Sequence, residues 1–228
     1  MTLRTSVAFA CLAVALVAKN ARGQTCRGRP GFTKAKVVAN AGAMMASDAR
    51  STSAGLTIGS RGEGLVASVA AGHVVRKASS TFDSDQPGTS LGASIAYAGT
   101  ELGGRLELCP GLGISQIKVS GDFVAGGRAT LTQTSRRAGI SAGYTLPASQ
   151  SFLIIPFASV ERVWFGGSVK GEGVDFPVPE DTYIPVTVGL GTVWKDRVGM
   201  TAAMIIPTGL PTPKNSFLTT LSLALGGR

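Results

Sequence analysis

Few side chains in this sequence are equipped for chemistry. There is 1 His and there are 3 Cys in 228 residues, which excludes a zinc site of the Cys₄ or Cys₂His₂ type. His73 sits in Gly72-His73-Val74. A hydrolytic histidine needs a serine or carboxylate partner within hydrogen-bond reach, and no serine follows it within its strand, so it reads as an interfacial residue without a catalytic part. Gly111/Gly113 and Gly189/Gly191 have the spacing of a dinucleotide-loop fragment. Neither pair opens a helix, so that reading fails its context test and no cofactor is implied. What remains is Arg105, Glu107, Glu161 and Arg162, four charges inside otherwise apolar stretches, and the cysteines. What these can do depends on the elements that carry them.

The first element is an export signal. Met1–Gly23 has a charged start at Arg4, an uncharged stretch from Thr5 to Ala18, and Ala21-Arg22-Gly23 placed for a cut before Gln24. The apolar stretch falls short of the roughly 20 residues that span a bilayer. Its removal takes Arg4, Lys19 and Arg22 from a chain with 22 basic and 13 acidic residues, so the exported protein stays basic. Lys and Arg are scattered rather than clustered with aromatics, which argues against nucleic acid as a partner. Cys11 leaves with the signal, and Cys26 and Cys109 remain. An even cysteine count in an exported chain permits one disulfide. A Cys26–Cys109 bond is expected to pin the N-terminal segment 24–35, through Gln24 to Lys34, to the interior of the domain that follows, residues 36–228, since Cys109 shares a face with Glu107.

That domain alternates. Leu106, Leu108, Leu112 and Ile114 interleave with Glu107, Cys109, Gly111, Gly113 and Ser115. Ile140, Ala142 and Tyr144 interleave with Gly139, Ser141 and Gly143. Ile184, Val186, Val188, Leu190 and Trp194 do the same with Thr187, Gly189 and Gly191. So do Phe217, Thr219, Leu221, Leu223 and Leu225 with Thr220, Ser222 and Ala224. Period two is the mark of a sheet with unlike faces. Strands are predicted at about 36–46, 52–60, 63–76, 89–99, 104–118, 136–146, 151–167, 182–194, 197–207 and 215–226. Leu91, Ala93, Ile95 and Tyr97 share one face; 151–165 is apolar on both, so its register stays open. Short connections (60–62, 100–103, 147–150, 195–196) alternate with long polar ones (77–88, 121–136, 170–181, 208–215).

A soluble sandwich keeps bulky residues inside and charges outside. Here aliphatic side chains take one face, while Gly, Ala, Ser and Thr take the other, and only 15% of residues are charged. In hydrocarbon an open sheet edge leaves unpaired N–H and C=O groups costing several kcal/mol each, so such a sheet must close. The expected fold is therefore all-β: a closed, antiparallel, up-and-down transmembrane β-barrel of ten strands, or eight if the first two segments do not join. Trp164, Phe165, Tyr183, Trp194 and Phe217 fall near predicted strand ends, where interfacial aromatic girdles belong.

On these features, with the amphipathic last strand Ser216–Gly226, the chain resembles the small outer-membrane β-barrel proteins of Gram-negative bacteria, the superfamily of OmpA-, OmpX- and OmpW-like barrels. The resemblance implies a monomer in the cell outer membrane, with outer-membrane lipids and the barrel-assembly machinery as partners. It also implies a structural or surface-interaction role without catalysis. Three other readings stay open: a narrow passive pore for small solutes, a lipid-modifying barrel enzyme, and a secreted, soluble lipocalin-like barrel. In such a barrel Arg105, Glu107, Glu161 and Arg162 are expected to pair inside the lumen, since isolated charges at membrane depth are costly. Only one of the neighbours Glu161 and Arg162 can face inward. A structural plug is preferred over a gate.

Overall fold

Alternation of large and small side chains produces strands throughout, and their pairing leaves no open edge among the long ones. The computed structural model describes residues 24–26, 29–31, 37–59, 64–78, 82–101, 106–122, 126–209 and 214–225, with the side chains of 24–31, 100, 101 and 174 left out. The strands are β1 (Gln24–Cys26), β2 (Arg29–Gly31), β3 (Val37–Ala46), β4 (Ala49–Gly59), β5 (Gly64–Arg76), β6 (Gln86–Glu101) and β7 (Leu106–Asp122). They continue as β8 (Arg128–Tyr144), β9 (Leu146–Ser149), β10 (Phe152–Gly171), β11 (Val174–Trp194), β12 (Val198–Thr208) and β13 (Ser216–Leu225). The sheet order runs β11-β12-β13-β3-β4-β5-β6-β7-β8-β10, and β10 pairs back with β11. Every neighbour is antiparallel, β13 against β3 included. The result is a closed, antiparallel barrel of ten strands, with the short β9 flanking β10 alone. The predicted export signal 1–23, residues 32–36 and Arg105 lie outside the described residues.

The ends of β4 and β5, β6 and β7, β8 and β10, and β11 and β12 that follow one another in the chain define one rim, here the lower; those of β3 and β4, β5 and β6, β7 and β8, β10 and β11, and β12 and β13 define the upper. Strand height is uneven around the wall. β3 and β13 have 10 residues each, the span a tilted membrane strand needs, whereas β10 has 20 and β11 has 21. Two segments expected as long loops are therefore mostly strand. β7 and β8 pair out to Asp122↔Arg128, and β10 and β11 out to Gly171↔Val174. In 130–134 and 175–178 alternation continues with Thr130, Thr132, Thr134, Asp175 and Pro177 outward, which resembles a loop when the pattern sought is a greasy exterior.

The reversal is visible along β7. Its outward side chains run Leu108, Pro110, Leu112, Ile114 and then Gln116, Lys118, Ser120, Asp122. Its inward ones run Glu107, Cys109, Gly111, Gly113, Ser115 and then Ile117, Val119. β8 repeats the pattern. Outward Ile140 and Ala138 give way to Arg136, Thr134 and Thr132, while inward Arg137, Ser135 and Gln133 give way to Leu131 and Ala129. The apolar exterior below the switch includes Leu56, Leu65, Leu91, Ile95, Leu112, Leu190, Met200 and Leu221, all more than 40% exposed. No helix among the described residues is long and apolar enough to cross a membrane, so any crossing is made by this belt.

Two apolar clusters close the ends of the interior. Near the upper rim Val74, Val119, Ala129, Leu131 and Val169 pack with Phe82 from the β5–β6 loop, with Ile117 and Val178 against them. Val74, Gly88, Val119, Leu131 and Val169 are successive register partners around the wall. Gly88 has no side chain to fill its place in that row. Asp83 N–H donates to Asp122 O at 3.1 Å, holding the loop down, and Phe82 is only 3% exposed. Toward the lower rim Val38, Ile155 and Val193 form a second cluster with Leu153 and Ala224. This explains why 151–165 is apolar on both faces: Ile155 and Phe157 point in while Ile154 and Val160 point out.

Candidate functional site

Between the apolar ends lies the lumen, and its lining is polar. Period-two register sends Ser68, Ser94, Ser115, Ser135, Asn40 and Ser222 inward, because each is paired with another inward residue across its strand. The hydroxyls of Ser68 and Ser94 are 2.6 Å apart, and those of Ser115 and Ser135 are 2.8 Å apart. At the β13–β3–β4 junction the Ser222 hydroxyl donates to Asn40 Oδ1 at 2.8 Å, and Asn40 Nδ2 donates to Thr57 Oγ1 at 2.9 Å. A buried polar group that keeps its partners avoids the desolvation penalty an orphan would carry. These rungs tie neighbouring strands together on the face where apolar packing is thin.

The charges concentrate on β7, β8 and β10. Glu107 is 1% exposed and Cys109 0% exposed, both inward on β7. Glu107 Oε1 lies 3.3 Å from Cys109 Sγ, and Cys109 is disulfide-bonded. Glu161 faces inward on β10, paired with Gly139, while Arg162 faces outward. Arg162 belongs to the exterior: its guanidinium stacks 5.3 Å from the centre of the Trp164 ring, and its Nε donates to Thr182 Oγ1 at 3.4 Å. The cation on the inward face with Glu161 is Arg137, which lies within the predicted strand 136–146 but outside the expected charge set. Arg137 and Glu161 both act electrostatically on the phenol of Tyr183. Arg105, the remaining member of the expected set, is among the residues not described.

Glycines make this layer fit. A Cβ on Gly113 would come 2.7 Å from Arg137 Nε, and one on Gly139 would come 2.8 Å from Glu161 Cγ. Each long charged side chain therefore lies flat over the bare backbone of the next strand instead of crossing the lumen. Phe165 and Tyr183 sit beside this layer, edge to face at 5.7 Å. Both point inward, so they are lumen residues and not the girdle members expected of them. They share the inward register of Val163 and Glu161. Trp164, Trp194 and Phe217 do face outward, with Lys195 Nζ 4.9 Å from the Trp194 ring.

The lumen is not empty above its lower end. β1 and β2 form an antiparallel hairpin, Cys26 opposite Arg29. β1 approaches β6, β7, β8 and β10, while β2 approaches β11, β12 and β13. Strands on opposite sides of a closed wall share those neighbours only if the hairpin lies within it. A three-residue strand carries too little alternation to be seen in sequence, so the hairpin was not legible there. His73 is exposed on the outer face, with Thr52 and Thr89 as its pairing partners. No group of His, Cys, Asp and Glu among the described residues is arranged to hold a metal.

No protein-family model and no curated protein matches the sequence. Solved structures do. The translocator domain of autotransporter NalP from Neisseria meningitidis aligns with a TM-score of 0.54 and 11% identity, over 97% of this chain and 95% of that one. The β domain of the Bordetella autotransporter BrkA gives 0.48 and 14%, over 84% and 100%. The N-terminal β-barrel domain of Pseudomonas aeruginosa OprF gives 0.37 and 12%, over 83% and 96%. At these identities the first of them speaks to fold alone, and the fold it shares with this chain is the closed, antiparallel transmembrane β-barrel.

Proposed function

We propose that the protein is a monomeric barrel of the cell outer membrane with a structural or surface-interaction role, without catalysis and with a plugged lumen. The observation that carries this reading is the reversal along β7 and β8. Apolar side chains face out over the lower part of each strand and face in over the upper part, at one common level. A wall bathed in lipid below and water above needs that change; a soluble lipocalin-like barrel would need apolar packing inside throughout. The resemblance to OmpA-, OmpX- and OmpW-like barrels is of the same kind, in pattern and not in motif. Its lipid and assembly-machinery partners follow from that location.

Closure is supported from both ends and the middle: the Phe82 cluster above, the Val38–Ile155–Val193 cluster below, and the hairpin between. The hairpin is held, in this reading, by a Cys26–Cys109 disulfide, since β1 ends on Cys26 and lies along the strand that carries Cys109. Glu107, Glu161 and Arg137 serve as part of the plug, not as a gate. The reading without catalysis is supported by His73, which faces outward with Thr52 and Thr89 as its cross-strand partners.

Planar-bilayer recording tests closure. The full chain should be electrically silent, and a variant lacking residues 24–31 should conduct once the clusters at both ends are also truncated, by Phe82→Ala and Ile155→Ala. Steady conductance by the intact chain would replace this reading with the narrow-pore one, which the hydroxyl lining of the lumen favours. Fractionation with a heat-modifiability gel shift tests location, and recovery of folded protein without detergent would overturn it. Reduction of Cys109 should free the hairpin without unfolding the barrel, read as faster hydrogen exchange at 24–26 and 29–31 alone, because one disulfide contributes only about 2–4 kcal/mol.

A further inference from the structure

The outside of a barrel is convex, yet between β4 and β10 the wall holds a cavity of about 790 Å³. Its lining is mostly the outward face of the belt, with Ser68, Ser94, Gly113 and Arg137 reaching it from between the outward positions. Leu56, Val69, Ala93, Ile114, Arg136 and Trp164 are successive register partners from β4 to β10. The adjacent row runs parallel to it from Ile58 to Arg162. Small side chains at Ala67, Ala93 and Ala138 leave room between the larger ones. The furrow crosses five inter-strand gaps, about 24 Å at the usual strand spacing, which is the length scale of a fatty-acyl chain.

The furrow also climbs. Leu56 lies close to the lower end of β4 at Gly59, whereas Trp164 lies past the middle of β10. Strands in a closed barrel are tilted and staggered, so a row perpendicular to them ascends toward one rim. At its upper end stand Arg136 and Arg162, both exposed, with Trp164 between rows. Neither guanidinium has a carboxylate within ion-pair distance among the described residues. Trp164 orients Arg162 through its ring face, and Thr182 fixes the Nε of the same group, which leaves the outer N–H groups to a ligand. Arg presents a planar fork suited to phosphate oxygens. An apolar trough ending in two unpaired forks at the height where hydrocarbon meets headgroups fits one kind of occupant.

We propose that this furrow is a specific site for a phosphate-bearing, multiply acylated lipid of the facing leaflet, its chain along β4–β8 and its phosphate between Arg136 and Arg162. The site rests on the outer-membrane reading above. The probe is bisphosphorylated lipid A, compared with its dephosphorylated form bearing the same chains. Each is offered to the full chain in phosphatidylcholine nanodiscs, and retained lipid is counted by native mass spectrometry. The phosphorylated form should be retained preferentially. Arg136→Gln with Arg162→Gln should weaken its retention roughly 30-fold, about fivefold per guanidinium, the equivalent of about 1 kcal/mol each near a charged surface. Ala93→Trp, which fills the trough, should lower retention of both forms. Equal retention of the two lipids by the unaltered protein overturns the proposal, as does a double Gln variant that holds the phosphorylated lipid as well. A dimer mass that excludes lipid would assign the face to a second copy of the chain and overturn it too. Vesicle flotation separates this from the reading beneath it: if the unaltered protein does not float with vesicles, the membrane assignment fails, and if it floats without discriminating phosphate, only the furrow site fails.

Discussion

The lower and upper parts of one strand can be set side by side in β7. From Leu106 to Ile114 the large side chains point out and Glu107, Cys109, Gly111 and Gly113 point in; from Gln116 to Asp122 the polar ones point out and Ile117 and Val119 point in. Backbone pairing is unbroken across the change, since β7 and β8 keep register from Leu106↔Tyr144 to Asp122↔Arg128. The ladder therefore has no preference of its own between these arrangements. What decides is the medium on each side. Lipid offers apolar side chains a home outside, and water does not, so above the belt the same sheet has to make a dry interior. The upper part is a small conventional core built on the end of a membrane barrel.

That contrast breaks most readily at Phe82. If the upper region is a hydrophobic core, truncating its central ring removes transfer energy and leaves a hole that the flanking strands only partly close. Phe82→Ala is expected to cost about 3–5 kcal/mol, as for large aromatic truncations in packed cores. The loss should fall on the upper region alone: amides of 117–131 should lose hydrogen-exchange protection while those of the belt strands β3 and β13 keep theirs. Uniform loss of protection would mean that the two regions fold as one unit.

A charge placed on the outward face sharpens the same comparison. Leu221 is 52% exposed on β13 and has no role in the furrow. Leu221→Arg should destabilise the barrel in lipid vesicles by about 2–4 kcal/mol, the cost of a cation near the bilayer midplane. Thr132→Arg, outward on β8 above the switch, should change stability by no more than about 0.5 kcal/mol. Urea titration in the same vesicles measures both. Equal costs would deny that the belt alone meets hydrocarbon.

Most of this architecture can be read from residue order. The belt strands announce themselves because a large outward side chain alternates with a small inward one, as in Ile140–Tyr144 against Gly139–Gly143. The upper halves of β8 and β11 were hidden for the opposite reason. Thr130, Thr132 and Thr134 on the outer face, and Pro177 and Pro179 in β11, look like loop composition to a reader counting greasy exteriors. Of the lumen charges, Glu107 was visible and Arg137 was not. A signal for Arg137 was nonetheless present: stepping back by two from Ser141 and Gly139 reaches it on the inward face. Arg162 could not be separated from Glu161 before the register of β10 was known, because both faces of that strand are apolar. Phe165 and Tyr183 were misplaced for another reason: closeness to a strand end does not tell which face a ring takes.

The smallest expected effect concerns where the switch lies. Gln116 is the first polar outward residue above Ile114 on β7, and its only described side-chain contact is a 3.5 Å donation to Thr134 Oγ1 on an exposed surface. Little is lost by removing a bond so long and so wet. Gln116→Leu would extend the apolar exterior by one rung, about 6.8 Å of strand or roughly 5 Å of height at a usual tilt. Mismatch between belt and bilayer costs fractions of a kcal/mol per ångström, so the substitution should act through bilayer thickness and not through packing. Unfolding measured in vesicles of short-chain and long-chain phosphatidylcholine should show a gain of a few tenths of a kcal/mol for the variant in the thicker bilayer and none in the thinner. A penalty that is the same in both would place Gln116 well out in water and move the border down to Ile114. A gain in both would carry it upward toward Lys118, into the region where the interior has already turned apolar. The sign of so small a number fixes whether the exterior and the interior change character at the same rung, which the shared level of the switch in β7 and β8 requires.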